Sequence, residues 1–201
     1  MPPLAFRKMH GCRNDYVVVA EDDLVRGADG APRGGWAALA QALCDRRGGV
    51  GADGLLLVGR PPDADLSMRM WNPDGSEAEM CGNGLRCAIR FARERARRPA
   101  AGEGVARTAA GMLAWQVHGA DDAAWDVEIE VGTPRYAGQL RVAEPNVDVT
   151  RIVLGNPHAV VFVDDVEAVP IEAWGPVLEH HTAFPQRTNV EFVHVVGRDH
   201  L

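Results

Sequence analysis

Cys81-Gly82-Asn83-Gly84-Leu85-Arg86-Cys87 sets a thiol just ahead of small, flexible residues and of a helical pattern running from Leu85 to about Arg97. The first N–H groups of a helix have no internal acceptor, and the helix dipole adds partial positive charge at that end. A carboxylate fits such a turn, and the same field favours thiolate over thiol. The stretch therefore offers a carboxylate-bearing small molecule both an anchor and a sulfur able to move a proton. Cys87 lies about 240° around the helix from Cys81, toward Leu85, Ala88 and Ala92, and reads as a core thiol.

Composition restricts the setting. The 201 residues are 46% hydrophobic and 24% charged, an ordinary globular balance with room for one large or two small domains. A net charge of −7 argues against a nucleic-acid surface; Arg90, Arg93, Arg95, Arg97 and Arg98 read as a solvated helix face. No apolar run approaches the ~20 residues that span a bilayer, and the N-terminus lacks a signal-peptide core, so no membrane association and a cytoplasmic location are expected. Four cysteines, Cys12, Cys44, Cys81 and Cys87, fit a reducing compartment without disulfides.

Lys8 is the single lysine among 21 basic residues, and no glycine-rich phosphate cradle follows it, which argues against pyridoxal chemistry. Metal-ligand spacings are missing too: His180 and His181 are adjacent rather than one helical turn apart. Any carbon-acid or acyl chemistry is expected to run with no cofactor and no metal.

Along the chain, strands are expected at Phe6 to His10, Tyr16 to Ala20, Leu55 to Val58 and Leu66 to Trp71. Trp36 to Arg47 has helical spacing, closed by Gly48-Gly49 as a left-handed cap. Asn72-Pro73-Asp74-Gly75 reads as a turn, and strands follow at Val105 to Thr108, Met112 to His118 and Trp125 to Val131. A boundary near Asp121 divides the chain into domains 1–121 and 122–201. The second half repeats the element order, with strands at Arg151 to Leu154 and Ala159 to Val163, a helix at Ile171 to His181 and a strand at Asn189 to Val196.

Five of the six asparagines, Asn14, Asn72, Asn83, Asn156 and Asn189, stand where a small polar ligand would be held. An amide donates and accepts, so it can hold ammonium and carboxylate groups without adding charge beside a thiol. Asn14-Asp15, Asn72-Pro73 and Asn156-Pro157 are also common turn dipeptides.

Six segments in order resemble the diaminopimelate epimerase family: His10 to Tyr16, Arg47 to Gly54, Asn72 to Ser76, Met80 to Cys87, Gly155 to His158 and Arg187 to Phe192. The resemblance runs from about Phe6 to Val196. It implies an α/β fold, an α+β roll of two pseudo-symmetric halves, each a rolled mixed sheet around a central helix, with the substrate between them. It further implies cofactor-free inversion of one carbon of LL-2,6-diaminopimelate, a small diamino dicarboxylic acid, to give the meso isomer used for lysine and peptidoglycan. By motif, Cys81 is one proton-transfer group. Gly82 and Asn83 hold the carboxylate at the reacting centre, Asn14, Asn72, Asn156 and Asn189 bind substrate, and His158 supports catalysis. Gly54 stands where some members carry a substrate-contacting glutamine. A homodimer is implied as well, with no interface that the sequence names.

The family's second catalytic cysteine lies in an Ala-Cys-Gly-Thr-Gly motif, preceded by a Glu-Arg pair, and these residues are not found here. The second half is accordingly expected to be truncated, with a weakened core and apolar surface exposed or covered by another chain. Three readings stay open: an epimerase, active or inactive in this truncated form; a non-catalytic fragment that binds diamino acids or a partner chain; and a hydrolase with Cys81 as nucleophile and His158 as base.

Overall fold

The structure, a computed structural model, describes residues 4–23, 32, 34–198 and 200. Two compact units divide the chain, residues 1–130 and 131–201. Asp121, the expected boundary, falls inside a hairpin of the first unit, because Trp125–Ile129 pairs back onto Gly111–Ala120.

The first unit is built on a sheet whose strands run β1 (Arg7–Gly11), β2 (Asn14–Ala20), β3 (Gly54–Gly59), β4 (Leu66–Trp71), β6 (Gly102–Thr108), β7 (Gly111–Ala120) and β8 (Trp125–Ile129), with the short β5 (Glu77–Ala78) beside β4. Helices α1 (Gly35–Cys44) and α2 (Gly82–Arg95) belong to separate cores. Tyr16, Val18 and Ala20 pack into the cluster that holds Leu85, Ala88, Ile89 and Phe91 of α2. Val17 and Val19 pack into the other, with Ala40 and Cys44 of α1. β3 divides in the same way, Leu56 and Val58 toward α2, Leu55 and Leu57 toward α1. Strands covered on both faces need apolar side chains at every position, which is why Tyr16 to Ala20 and Leu55 to Val58 read as unbroken runs. Burying Leu85 and Ile89 completely contributes about 1.5–3 kcal/mol each. α2 touches β1, β2, β3, β4 and β8, so it is the central helix around which the sheet curls.

The close of α1 differs from expectation. It ends at Cys44, and neither Gly48 nor Gly49 takes a left-handed backbone; Gly51 does, with φ of 75°. The segment after the helix instead folds back over its end, where Val50 and Gly51 N–H donate to the Leu43 carbonyl and Ala52 N–H donates to that of Cys44. A Cβ on Gly49 would lie 2.1 Å from the Ala42 carbonyl oxygen. Glycine is needed there for close approach, while the strap satisfies carbonyls that a helix end leaves unpaired.

The second unit is a four-stranded sheet ordered β12 (Asn189–Val193), β11 (Asn156–Phe162), β10 (Val147–Leu154) and β9 (Arg135–Val142). α3 (Ile171–Glu179) packs against it, with Val142, Val149, Ala159, Val161, Leu178 and Phe184 as the core. Two expectations shift here. Asn156-Pro157 lies within β11 rather than in a turn, with Pro157 opposite Val153. β9 was not anticipated, and β12 stops at Val193, short of Val196. His158, Val160 and Phe162 alternate with the core residues of β11 and take the sheet's other face, where Phe162 is 57% exposed.

Candidate functional site

Cys81 caps α2. Its backbone is extended (φ −146°, ψ 110°), its carbonyl accepts from Leu85 N–H at 2.8 Å, and its Sγ accepts from Gly84 N–H at 3.4 Å. The N–H groups of Gly82 and Asn83 have no intrahelical acceptor and form the dipole-positive end of the helix. Tyr16 Oη lies 3.1 Å from Cys81 Sγ. Only 1% of Tyr16 is exposed, and burial followed by the contact with Cys81 holds its proton far above the ordinary phenol range.

Asn83 ties the helix start to the sheet. Its Nδ2 donates to Asn14 Oδ1 at 2.8 Å, and Arg86 Nη1 donates to its Oδ1 at 3.1 Å. Asn14 Nδ2 in turn donates to Asp53 Oδ2 at 3.2 Å. Behind it, Asp15 takes two hydrogen bonds from Arg46 and an ion pair from Lys8, and these cations hold its carboxyl well below the usual carboxylate range. Gly11 lets β1 close on this corner: a Cβ there would meet the Asn83 carbonyl oxygen at 2.6 Å.

The other thiols stand apart from this arrangement. Cys87 and Cys44 are buried, and burial pushes the Cys87 thiol up to about 12, with the Cys81 and Cys12 sulfurs adding to the effect. Cys12 is exposed in the turn between β1 and β2, at φ 48°. Gly54 is closed to a side chain, since a Cβ would lie 2.8 Å from Met70 Cε and 3.1 Å from the Trp71 carbonyl oxygen. Asn72 is occupied within its own turn, where its backbone pairs with Ser76 and Gly75 and its Nδ2 donates to Ser76 Oγ at 3.0 Å.

The second unit has its own polar cluster. His158 Nδ1 and Glu191 Oε1 are 2.7 Å apart, and His158 Nε2 and Asn156 Oδ1 are 3.0 Å apart. Asn189, opposite His158 in register, donates from Nδ2 to the Pro157 carbonyl at 3.3 Å. Both imidazole nitrogens thus have partners inside this unit. The other oxygen of Glu191 is buried with no hydrogen-bond partner among the described residues.

The structure therefore groups the predicted residues Cys81, Gly82, Asn83 and Asn14 in one unit and Asn156, His158 and Asn189 in the other. Tyr16, Arg86 and Glu191 join them without having been singled out in the sequence. Tyr16 follows Asn14 by two positions in a strand, and Glu191 follows Asn189 by two. That parity is the signal for Tyr16 and Glu191, whereas Arg86 follows Asn83 by three residues on α2, the helical spacing.

A curled mixed sheet around a capped helix, with a second sheet after it, defines a fold class. It is shared with a PhzF-family phenazine biosynthesis protein from Bacillus anthracis, at TM-score 0.65 and 17% identity over 96% of this chain and 67% of that one. A hydroxyproline epimerase from Agrobacterium vitis shares it at TM-score 0.61 and 15% identity, over 92% of this chain and 64% of that one. Sequence narrows the class. The family model described as Diaminopimelate epimerase matches residues 6–137 and 150–201. The diaminopimelate epimerase of Pelotomaculum thermopropionicum is 39% identical over 98% of this chain and 73% of its own length, and that of Moorella thermoacetica is 40% identical over the same shares. The chain belongs to the diaminopimelate epimerase family.

Proposed function

We propose that this protein is an isomerase that epimerises LL-2,6-diaminopimelate to the meso form, with Cys81 as a proton-transfer group and no cofactor. The observation that carries this reading is the position of Cys81 at the start of α2. One helix N-terminus sets the sulfur beside N–H groups that have no intrahelical acceptor, those of Gly82 and Asn83. A substrate carboxylate on those N–H groups brings its own Cα to the sulfur. The thiolate takes the Cα proton, the C–H bond breaks as S–H forms, and the electron pair passes into the carboxylate, whose growing charge the N–H groups and helix dipole stabilise. Inversion then needs an acid that delivers a proton to the opposite face, the role the resemblance gives to the Ala-Cys-Gly-Thr-Gly cysteine. Among these 201 residues no group is assigned to it, and the step assigned to this chain is proton removal by Cys81.

Asn14 supports this arrangement by holding Asn83, and Asn72, Asn156 and Asn189 supply further polar contacts to the diamino dicarboxylate. His158, oriented by Glu191, has a supporting role. No observation favours a Cys81/His158 hydrolase: Cys81 lies in the first unit and His158 in the second. Four free thiols suit a reducing cytoplasm, and no helix among the described residues is long and apolar enough to cross a membrane. A homodimer rests on the family resemblance alone.

Solvent deuterium exchange into LL-diaminopimelate reads the half-reaction assigned to Cys81. Incorporation at Cα that disappears in Cys81→Ala is expected. Incorporation that survives the substitution, or none with the unaltered chain, overturns the reading.

A further inference from the structure

We propose that Tyr16 is a positioning residue for proton transfer: its hydroxyl holds the Cys81 sulfur in place and donates a hydrogen bond to the thiolate form. The proposal rests on the reading of Cys81 as the group that moves the proton. It starts from geometry. Tyr16 Oη lies 3.1 Å from Sγ, on a side chain with 1% exposure and packed in the same core as Leu85 and Ala88 of α2. The phenol therefore approaches the sulfur from the protein interior.

A buried hydroxyl without a partner destabilises a fold, as does a half-buried thiolate without a donor. Each group meets the other's need. A phenol has one O–H to donate and lone pairs to accept, so it donates to Sγ as thiolate and accepts from Sγ–H as thiol. The contact thus remains satisfied on both sides of the step in which Sγ gains the Cα proton. Tyr16 itself keeps its proton throughout, because its burial opposes the phenolate. Gly84 N–H, 3.4 Å from Sγ, is the only other donor to the sulfur among the described residues. Together the phenol and the amide leave the sulfur's remaining lone-pair directions to the substrate.

Strand geometry makes the assignment specific. Tyr16 and Asn14 stand two residues apart in β2 and therefore project to one face, Asn14 to the start of α2 through Asn83 and Tyr16 to its cap. One strand sets the distance between the carboxylate-binding corner and the sulfur.

The test measures the sulfur without substrate. Rates of Cys81 alkylation by iodoacetamide, followed by peptide mass spectrometry across pH, are compared in the full chain and in Tyr16→Phe. Losing a donor to an ionised sulfur is expected to move the profile up by about one pH unit. An unchanged profile in a folded variant overturns the proposal. Should Tyr16→Phe fail to fold, 3-fluorotyrosine provides a second readout, since the chain has only two tyrosines, Tyr16 and Tyr136. The Tyr16 fluorine resonance, assigned with Tyr136→Phe, is expected to titrate along the same profile and to stop doing so in Cys81→Ala; a resonance that ignores Cys81 counts against the contact. Because neither measurement needs turnover, they can fail while Cys81-dependent deuterium exchange succeeds, and the reverse.

Discussion

Asn83 Nδ2 donates to Asn14 Oδ1 at 2.8 Å, so the first turn of α2 is fastened to the first residue of β2 by a single amide pair. Asn14 is exposed and its other hydrogen bond goes to Asp53, which makes it a link between three segments rather than a core residue. What it fixes is the orientation of the N–H groups beside Cys81.

Asn14→Ala separates that role from folding. Removing two exposed side-chain hydrogen bonds, one to Asn83 and one to Asp53, is expected to lower stability by about 1–2 kcal/mol. Loss of alignment at the reacting carbon is expected to slow deuterium exchange into LL-diaminopimelate by about ten- to a hundredfold. Thermal unfolding and exchange on the same preparation decide it, and a stability loss with normal exchange would remove Asn14 from the site.

In the second unit, His158 on β11 and Glu191 on β12 are diagonal neighbours across the strand pair, with 2.7 Å between Nδ1 and Oε1. A double-mutant cycle with His158→Ala and Glu191→Ala, read by urea denaturation, is expected to give a coupling of about 1 kcal/mol. Additive effects would mean that the pair does not orient the imidazole. The buried, unpartnered second oxygen of Glu191 makes Glu191→Gln a useful companion, since it keeps the shape and removes the charge.

The four thiols are expected to separate into two classes under alkylation at pH 8. Cys12 is exposed and Cys81 half-buried, and both are expected to react in the native protein. Cys44 and Cys87 are buried, with their thiol proton held by burial, in Cys87 up to about 12, so they react only after unfolding. Peptide mapping over time checks the order, and early labelling of Cys87 would contradict the packing of α2 described above.

Asp15 gives the fold an acid-sensitive element. Arg46 first, and then Lys8, hold its folded-state pKa below the unfolded value of about 3.9. A depressed carboxylate contributes stability above its unfolded pKa and loses it as pH falls toward the folded value. Asp15→Asn is therefore expected to melt earlier than the unaltered chain at pH 7, with the gap closing as pH is lowered below about 4. A gap that stays constant from neutral to acid would exclude this ion cluster as its source.

Gly11→Ala is expected to act on the site through the backbone. Its Cβ would lie 2.6 Å from the Asn83 carbonyl oxygen, so either β1 or the first turn of α2 must move. Overpacking of this kind costs about 1–3 kcal/mol, and exchange should fall alongside. A variant with normal stability and exchange would show that this corner yields easily.

Legibility in the sequence followed the kind of signal available. The strands covered on both faces and the amphipathic helix after Cys81 were readable because an apolar run or a helical period states burial directly. β9 was not, since Arg135 to Val142 mixes exposed and half-buried positions without clean alternation. Pro157 misdirected the reading of Asn156, because Asn-Pro is commoner in turns than in strands; in β11, Asn156 and His158 share a face. Gly48-Gly49 resembled a left-handed cap, whereas Gly49 serves close approach to carbonyls that only the folded chain brings near. Motif resemblance supplied Cys81 and the asparagines. It passed over Tyr16 and Glu191, whose partners lie 65 and 33 residues away and become neighbours through sheet register and helix docking.

β2 also limits how this region can change over evolutionary time. Residues 14 to 18 pair with β1 and 16 to 20 with β3, and each side chain from Tyr16 to Ala20 is committed to one of two opposed cores. Inserting or deleting a single residue between Asn14 and Tyr16 would turn one of them away from α2 and exchange every later apolar side chain between the cores. Substitutions can accumulate along this strand, but its residue count is frozen, and length polymorphism must be confined to the connections beyond its ends.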